Sequence, residues 1–197
     1  IAVGGDMDVG GTINVTAATG LKGGIYTLLS STGAMTIGSL SIGSKPANYL
    51  ITIDGTSSSR EVRLIVMSPV QQWQALHFGP NFASNPLAAL NANPSGDGIS
   101  NLVKYALGLD PSVSAVSGLP KVEVDRDRGI LTLTYTKAIS ATDVAYIVIW
   151  SDSFDSWSSN GVTEELVSDD GVIQTVRAKV ALGPGVKRFI RLQVNQL

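Results

Sequence analysis

A chain of 197 residues is long enough for one large domain or two small ones, and its composition closes off whole classes of chemistry. It has no cysteine, which excludes disulfides, thiolate nucleophiles, Cys-type zinc sites and iron–sulfur clusters. It has one histidine, His77, which excludes a multi-histidine metal centre. Fourteen basic against sixteen acidic residues leave a net charge of −2, which gives no electrostatic pull toward nucleic acid or an anionic membrane.

Hydrophobic residues make up 44% of the chain and mean hydropathy is +0.22, ample for a packed core. No apolar run approaches the roughly 18 residues of a membrane span, so no membrane insertion is expected. No signal peptide is visible; because the chain opens on Ile1 rather than Met, it reads as an excised or mature fragment.

Residues 1–68 read as an N-terminal β unit, either the end of a β-helix or a sandwich. Short β-type runs (Gly11–Ala17, Gly24–Ser31, Met35–Gly43, Tyr49–Gly55, Glu61–Met67) alternate with Gly-Gly pairs and Asp54-Gly55. Apolar residues take nearly every second position in Val62-Arg63-Leu64-Ile65-Val66, as a half-buried strand requires. Gly4-Gly5 and Gly10-Gly11 are followed by no helical pattern, so they are not a nucleotide-binding loop. The sequon Asn14-Val15-Thr16 would matter only in a eukaryotic host.

Residues 69–116 read as a small helical connector. Gln71–Gly79 can form a helix with Trp73, Leu76 and His77 on one face, Pro86–Leu90 a helical turn, and Ile99–Leu107 a second helix with Ile99, Leu102, Val103 and Ala106 on one face. Gly108 is its expected stop, and Asp110-Pro111 a break.

Residues 117–197 return to strands: Lys121–Asp125, Ile130–Thr136, Val144–Trp150, Val162–Val167, Val172–Val180 and Lys187–Val194. Turns at Asp127–Gly129, Ser159–Gly161, Asp169–Gly171 and Gly183–Gly185 separate them. Six strands in about 80 residues predict an antiparallel β-sandwich. The fold class is therefore mainly β, in three parts.

One stretch carries a pattern of its own. Trp73…His77-Phe78-Gly79…Asn85-Pro86…Gly96-Asp97-Gly98-Ile99-Ser100-Asn101-Leu102…Tyr105-Ala106-Leu107-Gly108-Leu109-Asp110-Pro111, followed by Tyr146–Ser151…Phe154…Trp157 and Phe189–Val194, spans most of the chain. It resembles the C-terminal region of large secreted proteins of Verrucomicrobia and Planctomycetes, which carry autotransporter-associated β-strand repeats and a dockerin-like GDGISNL…YALGLDP segment. In the same resemblance, Gly24-Ile25-Tyr26-Thr27-Leu28-Leu29 is similar to the last part of such a repeat region. The resemblance implies a bacterial cell-surface or secreted location and a non-catalytic role.

That segment is also similar to a calcium loop, which needs oxygen ligands at positions 1, 3, 5, 7 and 9, Gly at 6 and a bidentate carboxylate at 12. Asn93, Ser95 and Asp97 fall at 1, 3 and 5, Gly98 at 6, Ile99 supplies the carbonyl at 7, and Asn101 falls at 9. Position 12 is Lys104, an ammonium where the carboxylate should be, and only Asp97 keeps a charge among the early positions. The expectation is a degenerate loop empty of calcium and held by hydrogen bonds, with Lys104 the candidate for the vacated cation position. No cofactor is expected.

Other chemistry-bearing residues have ordinary readings. His77 follows Trp73 by four residues and reads as packing against it rather than as a base. Of Trp73, Trp150 and Trp157, Trp150 reads as core and Trp157 is the one expected to be exposed; core or inter-sheet packing is the ordinary reading of Trp157, and it is the one candidate interaction residue. Asp152 with Asp155, and Glu164, Glu165, Asp169 and Asp170, lie in turn-rich stretches and read as solvated surface rather than a glycosidase pair. The chain thus reads as a non-enzymatic extracellular structural or adhesion protein that self-assembles through β-strand edges. Two versions stay open: the chain is the surface-anchored C-terminal end of a long repeat protein, or it is the subunit of an extracellular filament with Ile1–Val15 pairing with a neighbouring subunit; its partners would be itself or sister β-repeat chains. The alternative is a carbohydrate-binding module that uses Trp157 and surface glycans.

Overall fold

The computed structural model describes residues 1–16, 21–183 and 187–197. It is mainly β, and its contacts divide it into two compact units, Ile1–Gln72 and Trp73–Leu197. Ala17, and Pro184-Gly185 of the last expected turn, lie outside the described residues.

The N-terminal unit holds β1 (Ala2–Val3), β2 (Met7–Ile13), β3 (Gly24–Ser31), β4 (Met35–Ile42), β5 (Leu50–Thr56) and β6 (Glu61–Met67). β1 pairs with β3 in parallel, Ala2 opposite Ser30, and β2 pairs with β4 in parallel, Met7 opposite Met35. Both pairs share an offset of 28 residues, which becomes 29 after a register slip between Val9 and Gly11. Parallel partners two strands apart, at one common offset in two sheets, mean that the chain makes a full coil and returns on top of itself.

The stacking extends through the turns. The Asp6 carboxylate accepts from the Ala34 N–H (2.8 Å) and the Asn14 side-chain oxygen from the Ser44 N–H (2.8 Å). Ser31 donates its hydroxyl to the Gly5 carbonyl. A Cβ on Gly33 would fall 2.6 Å from the Gly5 carbonyl carbon and 2.7 Å from the Asp6 nitrogen, so only glycine lets the two coils approach there.

An antiparallel hairpin ends the stack. β6 pairs with β3 and with β5, giving the sheet order β1-β3-β6-β5 beside the two-stranded β2-β4. Strict alternation in β6 turns Val62, Leu64 and Val66 inward, and Leu64 and Val66 join Ile51 in the unit's core.

One expectation changes here. The strand expected at Gly11–Ala17 runs instead over Met7–Ile13, with Gly10-Gly11 inside it at the register slip rather than in a turn. Within Ile1–Val15, β1 and β2 pair along one edge with β3 and β4 of their own chain.

Helix α1 (Pro69–Phe78) begins two residues before the expected Gln71. Pro69 suits a first helical turn, and Ser68 and Gln71 cap it reciprocally: the Ser68 N–H donates to Gln71 Oε1 (3.0 Å) and the Gln71 N–H to Ser68 Oγ (3.4 Å). Leu76, expected on the packed face, is 79% exposed.

The C-terminal unit contains α2 (Asn101–Leu107) and six antiparallel strands: β7 (Lys121–Asp125), β8 (Ile130–Ala138), β9 (Val144–Ser151), β10 (Thr163–Asp169), β11 (Ile173–Ala181) and β12 (Phe189–Gln196). They form a sheet ordered β10-β11-β8-β7 and a two-stranded sheet β12-β9. β8 shows the predicted alternation: Leu131, Leu133 and Tyr135 are buried while Thr132, Thr134 and Thr136 lie on the other face.

The connector is no separate domain from Trp73 onward. Leu107 of α2 sits in one core with Leu133, Tyr135, Val148, Val176 and Ala178. Each such large apolar side chain contributes roughly 1.5–3 kcal/mol by leaving water. Strand side chains also satisfy the last carbonyls of α2: Tyr146 donates to the Ala106 carbonyl (2.7 Å) and Thr136 to that of Leu107 (2.8 Å). Gly108, with φ 71°, ends the helix in the left-handed conformation as expected.

The buried side of α2 differs from the predicted one. It includes Asn101, Lys104 and Tyr105, two of them polar residues of the loop pattern, while Leu102 and Val103 are only half-buried.

Candidate functional site

The loop Asn93–Asn101 leads into α2, and α2 carries Lys104 back beneath it. Lys104 is fully buried, an arrangement an ammonium tolerates only when its N–H donors meet oxygens. Its Nζ donates to Ser95 Oγ (2.6 Å) and to the Val113 carbonyl (2.9 Å), and lies 2.9 Å from Asp97 Oδ2. Three oxygens, one of them charged, match the three donors of an ammonium.

Asp97 is equally enclosed, its side chain 2% exposed. Besides Lys104, its carboxylate accepts from the Ile99 N–H (2.9 Å) and the Ala115 N–H (2.9 Å). Asn93 completes the turn, its Oδ1 accepting from the Asp97 N–H at 3.2 Å. Burial by itself would raise the Asp97 carboxyl, but the Lys104 ammonium, these two backbone donors and Ser95 outweigh it and hold the group well below the usual carboxylate range.

Of the expected calcium ligands, Asn93, Ser95 and Asp97 gather in this loop, the last two directly on Lys104. Ile99 contributes its N–H to Asp97. Asn101 turns elsewhere: its Nδ2 donates to the carbonyls of Leu87 and Ala89, both at 2.8 Å, which pins the turn Pro86–Ala88 against α2, and its buried Oδ1 meets no partner among the described residues. The third oxygen on Lys104 comes from Val113, outside the loop pattern, and no spacing rule pointed to it. This donor set does not fit calcium, which needs several anionic oxygens and a bidentate carboxylate where Lys104 stands. Among the described residues no group of three or more histidines and carboxylates could hold a metal ion.

The pair has a pH signature. In the unfolded chain Asp97 takes up a proton near pH 4, whereas in the folded chain it resists protonation, so below that pH the unfolded state binds more protons. The stability this pair contributes is present in full above about pH 4 and is lost progressively as pH falls further. Urea midpoints measured from pH 6 down to 2.5 will therefore decline less steeply in an Asp97→Asn variant than in the parent.

The remaining candidates are engaged by neighbours. His77 is exposed, its ring centroid 4.8 Å from that of Trp73, which also lies 5.6 Å from Tyr105. Asp152 is bound by Arg188 through two N–H donors (2.8 and 2.9 Å), and Arg188 covers the Trp150 ring. Glu165 accepts from Arg177 and Lys179, Glu164 from Tyr135, while Asp169 and Asp170 cap the turn before β11. Trp157 is half-buried, one ring face under the Arg191 guanidinium at 4.0 Å. An apolar cavity of about 330 Å³ lies between α2, β7, β8 and β12, lined by Val103, Leu107, Val122 and Leu192 among others.

No family model matches the chain, and no curated protein is similar enough to be counted a relative.

Proposed function

We propose that this chain is a non-enzymatic structural or adhesion protein of the cell surface or extracellular space, and that its N-terminal unit is the end of a stack of β coils that grows by strand-edge pairing. The 28-residue offset shared by β1–β3 and β2–β4 carries this reading. Because each coil repeats the path of the one beneath, it offers the next coil the same ladder of N–H and C=O groups.

The β5–β6 hairpin closes the stack on the β3 side, while β1 and β2 each keep an edge that no described strand pairs. β2 carries one charged side chain, Asp8, and no proline or lysine, so it lacks the residues that guard edges against pairing. The partners would be further coils from the same chain or a sister chain. A scaffold role also agrees with carboxylates committed to salt bridges and turn caps and with a loop whose cation is a side chain.

The test is a chain with residues 1–28 duplicated ahead of Ile1. The added coil should stack in register, raise the unfolding midpoint and slow hydrogen exchange of the β2 amides ten-fold or more. A duplicated segment that exchanges freely, with β2 unchanged, would sink the reading.

A further inference from the structure

The second unit carries a cluster that the scaffold reading leaves unused. The turn after β9 places Phe154 at φ 70°, in the left-handed region that a bulky side chain avoids, and leaves that side chain 59% exposed. The turn lets the Phe154 N–H donate to the buried Ser151 hydroxyl (2.9 Å), but the exposed ring does not serve the core.

Phe154 lies against Phe189 (ring centroids 3.7 Å) and Trp157 (6.0 Å), and Trp157 lies against Arg191 (4.0 Å). Phe189, Arg191 and Gln193 alternate with the inward Ile190 and Leu192, so they share the outer face of β12 in a row of about 13 Å. Arg188 is neutralised by Asp152, whereas Arg191 pairs with no carboxylate among the described residues.

We propose that this face binds an acidic glycan, a chain of uronate sugars. Ring C–H faces would stack on Phe154 and Phe189, a sugar carboxylate would meet the Arg191 guanidinium, and Gln193 would serve hydroxyls farther along the row. The free guanidinium selects a charged sugar over a neutral one, and the strained Phe154 is the platform held out toward it. The proposal does not depend on coil stacking, because a chain that never assembles would still present this face.

Native electrophoresis of the full chain through gels containing polygalacturonate, alginate, a neutral β-glucan or dextran sulfate tests it. At least one uronate polymer should retard the parent, and Phe154→Gly and Arg191→Gln should each weaken that retardation ten-fold or more. Phe154→Gly relieves the left-handed strain, so its thermal midpoint should equal or exceed the parent's, which separates lost binding from unfolding. Retardation by neither uronate, by the neutral glucan alone, or equally by dextran sulfate with no effect of Phe154→Gly would each overturn the proposal.

Discussion

Replacing Lys104 with methionine is expected to lower the unfolding midpoint of the C-terminal unit by about 10 °C or more in differential scanning calorimetry. The side chains are similar in length, so packing changes little. What changes is that Asp97, enclosed beside Lys104, loses the one positive charge that faces it. Two backbone N–H donors remain on that carboxylate, but Ser95 and the Val113 carbonyl lose their donor as well. Breaking one side of a buried pair costs far more than removing both. The double variant Asp97→Asn with Lys104→Met should therefore be more stable than Lys104→Met alone. If the single variant melts with the parent, the ammonium does not hold the loop.

Tyr105→Ala is the second large effect, a loss of about 3–5 kcal/mol in urea unfolding of the same unit. Tyr105 is 1% exposed. Its ring meets Trp73, and its hydroxyl donates to Asp143 Oδ1 (2.5 Å) and lies 3.5 Å from the Ser140 carbonyl, so one side chain joins α1, α2 and the turn between β8 and β9. Truncation opens a cavity and removes one donor from the Asp143 carboxylate. Tyr105→Phe removes the hydroxyl alone and should cost about 1.5–3 kcal/mol, the value of a hydrogen bond to a charged group. An equal loss in both variants would place the effect in the hydroxyl and not in the ring.

What the sequence disclosed follows from the range of the interactions concerned. β8 was legible because Leu131, Leu133 and Tyr135 alternate with threonines, a pattern set by neighbours two residues apart. The Lys104 departure was legible because the loop ligands lie within twelve positions of one another. The coil was legible only as one of two alternatives, a β-helix end or a sandwich, since β2 and β4 find each other across 28 residues and only Gly10-Gly11, read locally as a turn, marks the slip between them. Val113 was invisible for a related reason: it offers a backbone carbonyl, which any residue could supply. Phe154 stood in the sequence pattern, but its conformation gave no signal, because strain belongs to a turn held by the surrounding fold and not to the residue type.

Isothermal titration of the chain with calcium bears most directly on the central claim, that the ammonium of Lys104 is the resident cation of this loop. With that position filled and a single carboxylate available, no binding heat should appear at millimolar calcium, and a chelator should leave the unfolding midpoint where it was. A micromolar isotherm, or a midpoint that falls on chelation, would contradict it.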